Sequence, residues 1–410
     1  MSRPFIAVIG GGAAGSMAAI EIKRRLPHAR VAVYEAGRRL LAKVSVTGGG
    51  RCNLTNSFSG VSSMEQVYPR GARLMKRLFR QFSHTDAYAW FEREGVQLVT
   101  QDDQCVFPRS QNAMEIVDTL MGMLCRLDVE IVTGSRMDGL MPVSGGGYRI
   151  HFAAGTEVLA DVVVVTTGGS PKDAGLDMFR RLSLAVEPPV PSLFSLCLPG
   201  HPLTGLMGTV VADTAVSIPG TRYRACGPLL VTHWGLSGPA MLKLSSHAAR
   251  LLHERAYRTP VIVNWMGGVS EEAVADELSH LAASHPHKLV HSIFPPCFNS
   301  RLWAYFLQQA RIALETRWNG LDRKSLNRLV ALLTGQQLQV DGKNRFKEEF
   351  VTCGGVALSN VDSSTLECRR LPGLYFAGEV LDVDAVTGGF NLQAAWTMGY
   401  VVGRSVGERG

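Results

Sequence analysis

The 410-residue chain has eight cysteines but no C-x-x-C pair, and no histidine–cysteine cluster at the spacing of a zinc site. These absences argue against a metal centre and against a disulfide framework, and they fit a reduced, cytoplasmic setting. No apolar run approaches the length needed to cross a bilayer, which argues against a membrane protein. No internal repeat and no low-complexity tract is present. What remains is an ordinary globular composition with one excess, 43 glycines. The length implies two or three domains. A formal charge of +7 and an isoelectric point near 9.0 permit a polyanionic partner without requiring one.

The glycines are concentrated where they carry chemistry. Phe5 to Ile9 is a short apolar run bounded by glycine, the pattern of a buried parallel strand. Gly10, Gly12 and Gly15 then give the G-x-G-x-x-G spacing at the start of a helix predicted from about Ala13. The first glycine permits a tight turn, the second a close approach to a pyrophosphate, and the third close packing of helix on strand. The helix start directs unpaired N–H groups and the positive end of its dipole at the phosphates. Arg30 to Tyr34 reads as the second strand, and Glu35 at its end is placed to bind the ribose hydroxyls of an adenosine half. Arg3 before an apolar run mimics a signal peptide, but cleavage there would destroy this turn, so the segment reads as part of the folded domain.

Ala42 to Asn56 (AKVSVTGGGRCNLTN) sets Gly48, Gly49 and Gly50 beside Arg51, Cys52 and Asn53, which suits backbone lying flat against a ligand. Ala72 to Phe82 predicts an amphipathic helix with Arg73, Lys76, Arg77 and Arg80 on one face. That face is either solvated or a stripe for phosphates. Strands are expected within Val96–Phe107, with a turn at Asp102 and Asp103, and over Val129–Val132. A hairpin is expected from Tyr148–Phe152 and Thr156–Leu159, and a helix over Ala113–Leu127. Asp161 to Thr167 reads as a buried strand running into Gly168 and Gly169. The prolines of 188–191 (PPVP) predict an extended linker and a domain boundary.

Beyond that boundary, short strand-like runs predict a small β domain over 191–268 and 335–350, with a helical domain over 269–334. Ser270 opens a helix with Glu271 and Glu272 in its first turn. The chain then returns to the nucleotide sheet, so the first domain is expected to span 1–190 and 351–410. Leu374 to Leu392 reads as strand, acid, loop, glycine turn and helix. A helix start there can donate N–H groups to the N1/C2-carbonyl edge of a flavin, which points to FAD rather than to NAD alone. No second G-x-G-x-x-G follows another strand, so NAD(P)H would dock only transiently.

Several motifs together resemble the BaiN/RdsA-like (YhiN-type, aminoacetone-oxidase) family of FAD-dependent flavoproteins. They are VIGGGAAG at Val8, TGGGRCNLTN at Thr47, VFP at Val106, TTGG at Thr166 and THWGLSGP at Thr232, followed by VTCGGV at Val351, GLYFAGEVLDVD at Gly373 and TGGFNLQAAW at Thr387. The resemblance implies an α/β fold: a Rossmann-like FAD domain of the two-dinucleotide type, built from both chain ends, with β-barrel-like and helical domains inserted. It implies FAD contacts at Gly10, Gly12, Ala14, Gly15, Glu35, Lys43, Gly49, Arg51, Asn53, Gly168, Gly378, Glu379, Gly389, Asn391 and Leu392. One departure is Ser170 to Gly175 followed by Leu176 and Asp177, where relatives carry a richer G-S-D-G turn.

The activities attached to the family are reduction of an enone in bile-acid intermediates, reduction of a uridine in large-subunit ribosomal RNA, and oxidation of aminoacetone. The first two share an alkene polarised by a carbonyl, to which hydride and a proton are added. Candidate proton donors are Cys52, His233 and Cys353. Arg51 beside Cys52 would depress its thiol pKa, whereas the alternative for Cys52 is a small buried hydrophobe. His233 is equally readable as a structural histidine. The basic residues at Arg73 and from Arg301 to Lys347 favour ribosomal RNA. A flavin-binding protein without turnover is the reading of a different class.

Overall fold

The computed structural model describes residues 3–170, 172–344 and 351–409. The expected strand-like stretch to Phe350 and the basic residues Arg345 and Lys347 extend into residues 345–350, outside those described. The chain divides into two compact units, Met1–Val190 with Val351–Gly410, and Pro191–Phe350.

The first unit is built on a five-stranded sheet in the order Leu374–Phe376, Val162–Val165, Phe5–Ile9, Arg30–Tyr34, Glu130–Val132. All four pairings are parallel. Phe5–Ile9 is buried along its whole length, as a strand covered on both faces must be. The first helix, Ala13–Arg25, follows the glycine turn, and the last helix, Phe390–Gly407, packs along it. Glycines four apart make that close approach possible. A Cβ at Gly399 would lie 2.5 Å from the Ala14 carbonyl oxygen, one at Gly403 2.4 Å from the Glu21 Cβ, and one at Gly407 2.7 Å from the Arg25 Cβ. The two chain ends are thereby locked together over the sheet. A three-stranded antiparallel sheet (Met137–Pro142, Tyr148–Phe152, Glu157–Ala160) and another (Thr55–Asn56, Cys105–Pro108, Leu98–Thr100) complete the unit.

Three local expectations change. The basic helix spans only Ala72–Leu78, so Arg80 falls beyond it, although Arg73, Lys76, Arg77 and Arg80 are all exposed. The proline-rich linker is the strand Val186–Ser192, paired with Val351–Val356 in a two-stranded sheet. Such a sheet has only edge strands, where the missing proline N–H forfeits no inner ladder bond. Met137–Pro142 is a strand that the periodicity did not announce.

In the second unit, six antiparallel strands run in the order Leu196–Cys197, Gly235–Ser237, Arg224–Val231, Val210–Ser217, Arg258–Asn264, Gln336–Asp341. The outermost two meet: Cys197 N–H donates to the Gly342 carbonyl (2.9 Å) and Asn344 N–H to the Ser195 carbonyl (3.0 Å). The sheet therefore closes as a barrel, which removes its free edges. Helices Ser300–Gln309 and Arg323–Gly335 share one apolar core with this sheet, centred on Trp265, Trp303 and Phe306. The Trp265 indole N–H is satisfied by Gln336 Oε1 at 2.8 Å.

Candidate functional site

Around the first turn, each glycine has a distinct steric reason. A Cβ at Gly15 would lie 1.9 Å from the Gly10 carbonyl oxygen and 2.6 Å from Thr166 Oγ1, so helix and strand touch there. Gly10 has φ +110°, and its Cβ would lie 2.4 Å from the Thr166 carbonyl oxygen. Thr166, from the T-T-G-G motif, also donates its hydroxyl to the Gly10 carbonyl at 2.8 Å. A Cβ at Gly12 meets nothing within 4 Å. Gly12 caps the helix without a side-chain hydrogen bond, and no acidic residue occupies the first turn. The open face and uncapped N–H groups suit a pyrophosphate. The Glu35 carboxylate is held at the rim, accepting from the N–H of Gly11 (2.8 Å) and of Gly37 (2.7 Å).

The T-G-G-G-R-C-N loop forms a second wall. Gly48, Gly49 and Gly50 have φ of 58°, 68° and 82°, three left-handed residues in succession that only glycine adopts without strain. Gly49 and Gly50 have open Cβ directions. Arg51 lies over the Phe107 ring with its guanidinium carbon 4.4 Å from the centroid, and donates to the Gly48 carbonyl at 3.1 Å. Asn53, with its amide oriented to suit its neighbours, donates to the Thr55 carbonyl (3.0 Å) and accepts from Gly389 N–H (3.2 Å). Its side chain joins this loop to the final glycine turn.

The third wall comes from the chain's last segment. Gly378, with φ +82°, sits against Ala14, its Cβ direction 3.1 Å from the Ala14 Cβ. Glu379 accepts from Thr352 N–H (2.7 Å) and pairs with Lys43 (3.3 Å). Gly168 leaves its Cβ direction open. Gly389 caps the last helix in a left-handed conformation, again with no side-chain cap and no acid in the first turn. Asn391 accepts from Ala385 N–H (2.9 Å) and donates to its carbonyl (3.0 Å), while Leu392 is partly buried. The first unit thus gathers every residue expected to contact the cofactor.

The candidate proton donors separate. Cys52 is fully buried in the first unit, and burial pushes its thiol up to about 12 despite a hydrogen bond with Thr47. The expected depression by Arg51 is absent, because that cation is spent on Phe107 and Gly48 on the exposed side of the loop. Native protein at pH 8 is expected to alkylate at the exposed Cys125 and Cys226, more slowly at the exposed Cys297 whose thiol burial pushes up, while Cys52 stays unmodified, as peptide mass spectrometry would read. Cys353 is buried in Val351–Val356. His233 belongs to the second unit, exposed in the turn after Arg224–Val231, with its ring 4.3 Å from that of Trp234.

Sequence reasoning missed the side chains that hold the final turn in place. Asn56 Nδ2 donates to the Gly388 carbonyl (3.0 Å), and the Tyr68 hydroxyl to the Phe390 carbonyl (3.0 Å). Thr55 donates to Gln393 (2.6 Å), and Arg70 forms a buried double hydrogen bond with Asp384. Only the polar residues inside apolar runs hinted at them.

A parallel sheet with a glycine turn at its centre, and a second helix start contributed by the far chain end, defines a Rossmann-type dinucleotide-binding protein. The residues fit FAD: open glycine faces line each of the three walls, and two helix starts carry no side-chain cap. Residues 4–405 match the family described as HI0933-like protein Rossmann domain, and the chain belongs to that family. It is 30% identical to the 3-dehydro-bile acid delta(4,6)-reductase of Clostridium scindens, over 98% of this chain and 99% of that one. It is 28% identical to the ribosomal RNA dihydrouridine synthase of Escherichia coli, over 97% and 96%. The quinol fumarate reductase of Escherichia coli shares its fold, with a TM-score of 0.50 at 15% identity over 100% of this chain and 70% of that one. The protein is an FAD-dependent oxidoreductase. Among the described residues no helix is long and apolar enough to cross a membrane, and no cluster of side chains is suited to a metal ion.

Proposed function

We propose that this flavoprotein reduces a C=C bond conjugated to a carbonyl, with NAD(P)H as electron source, and that its substrate is a uridine of large-subunit ribosomal RNA. The two relatives are named for reductions that both suit such a bond, in a bile-acid ring and in a uracil ring. FAD held there would supply the hydride-transfer chemistry that the β carbon needs. The chain's own part is to hold the cofactor by the Gly10–Gly15 turn, Glu35 and the Gly389 helix start, and to donate a proton to the α carbon. Cys52, buried and with its thiol pushed up to about 12, is a poor acid for that step.

The observation that carries the RNA reading is the cationic face of the first unit. Arg73, Lys76, Arg77 and Arg80 are exposed, and among the described residues Glu65 is the carboxylate that acts electrostatically on Lys76 and Arg73, without a salt-bridge contact. The identity to the bile-acid reductase supports a second reading, a small enone. The test is incubation of protein, FAD and NADPH with ribosomal RNA from a strain lacking the gene. Nucleoside mass spectrometry should show one uridine gaining two hydrogens. NADPH oxidation by a small enone, with RNA left unmodified, would transfer the assignment to that enone. Hydrogen peroxide formed from an aminoketone would mark an oxidase, and a flavin unreduced by any donor would mark a protein without turnover.

A further inference from the structure

Every residue from Asp384 to Phe390 but one is tied from outside, and the ties converge. Val386 N–H donates to the Val67 carbonyl at 2.9 Å, and the Gly388 carbonyl accepts from Asn56. Gly389 N–H donates to Asn53, and the Phe390 carbonyl accepts from Tyr68. Ala385 is braced by Asn391. All the partners except Asn391 lie between Asn53 and Arg70, so this stretch is a mould for the final glycine turn. One of the ties is ionic: Arg70 grips Asp384 through Nε and Nη2, with the carboxylate fully buried and the arginine side chain only 14% exposed. Backbones also bridge at Arg70 and Asp384, and a Cβ on the neighbouring Gly71 would lie 2.7 Å from Val383 Cγ2.

A buried ion pair brings little net stability over an apolar pair of the same shape, because desolvation offsets the attraction. A two-pronged arginine–carboxylate pair does supply direction, fixing both distance and plane. Here the direction is given to a segment whose next residues open the last helix. Arg70 also interacts electrostatically with Cys353 and Asp382, and Asp382 accepts from Gly354 N–H at 2.9 Å, so the pair acts on the adjoining strand as well.

We infer that Arg70 is a positioning residue for the flavin: its pair with Asp384 sets the angle at which the Gly388–Gly389 turn and the helix start meet the cofactor. The inference rests on the reading that this turn receives the flavin. It is tested on apoprotein by FAD titration, following flavin fluorescence, alongside the melting temperature. Arg70→Met and Asp384→Asn are each expected to weaken FAD binding about tenfold or more, the scale of lost outer contacts at a bound centre. Arg70→Lys should recover part of it. The double variant Arg70→Met/Asp384→Leu should recover melting temperature but not FAD affinity. Affinity that returns together with melting temperature would overturn the inference, since the pair would then be structural. So would wild-type affinity in Asp384→Asn, which keeps the side chain's shape if Arg70→Met fails to fold. Gly389→Ala, whose Cβ would lie 2.2 Å from the Thr55 carbonyl oxygen, is the control. If it too binds FAD normally, the location of the flavin is wrong; if it alone weakens binding, only the role of Arg70 falls.

Discussion

Gly15→Ala is expected to yield a colourless protein that melts far below the wild type. The added methyl would sit 1.9 Å from the Gly10 carbonyl oxygen, and no rotamer can move a Cβ. Relief requires the first helix to leave the first strand, and the last helix, packed on the first through Gly399 and Gly403, would have to follow. Overpacking of this kind costs on the order of 3 kcal/mol, and a backbone clash lies at the upper end. Gly12→Ala should behave differently. Its Cβ meets no protein atom within 4 Å, so the apoprotein should melt near the wild-type temperature while FAD affinity falls, because the methyl occupies the space left for the pyrophosphate. Calorimetry of the apoproteins with FAD titration reads both. Equal losses of stability in the two variants would refute the division of labour among these glycines.

Reversing Arg73, Lys76, Arg77 and Arg80 to glutamate should weaken binding of ribosomal RNA about a hundredfold at low salt and flatten its salt dependence. A phosphate contact on single-stranded RNA contributes about 0.7 to the slope of log K against log salt, so four lost contacts lower it by about 3. The substitutions are exposed, and the buried side of the helix, Leu74, Met75 and Leu78, is untouched. FAD content should therefore stay at the wild-type level. Binding measured from low to moderate potassium chloride is the check. An unaltered slope would mean the face is merely solvated and would remove the main support for an RNA substrate over a small enone.

Arg80 shows how such faces are read correctly for a partly wrong reason. Its spacing from Arg73 is helical, yet the helix stops at Leu78 and Arg80 joins the patch from the turn beyond. Cys52 shows the opposite case. Sequence adjacency to Arg51 suggested a depressed thiol, but adjacent side chains in a left-handed turn point apart, Cys52 (φ +60°) inward and Arg51 over Phe107.

The amino-acid sequence alone determined the cofactor class and the involvement of both chain ends. The G-x-G-x-x-G turn, Glu35, and the strand–glycine–helix order near Gly389 are local patterns whose geometry depends on residues close in the chain. Tertiary structure alone decided what holds them at the right angle. Asn53, Asn56, Tyr68 and Arg70 act on residues more than three hundred positions away, and the barrel closes through Cys197 and Gly342. Polar side chains with such distant partners leave no periodicity to read, because the apolar pattern records which face is buried and not which buried donor meets which acceptor.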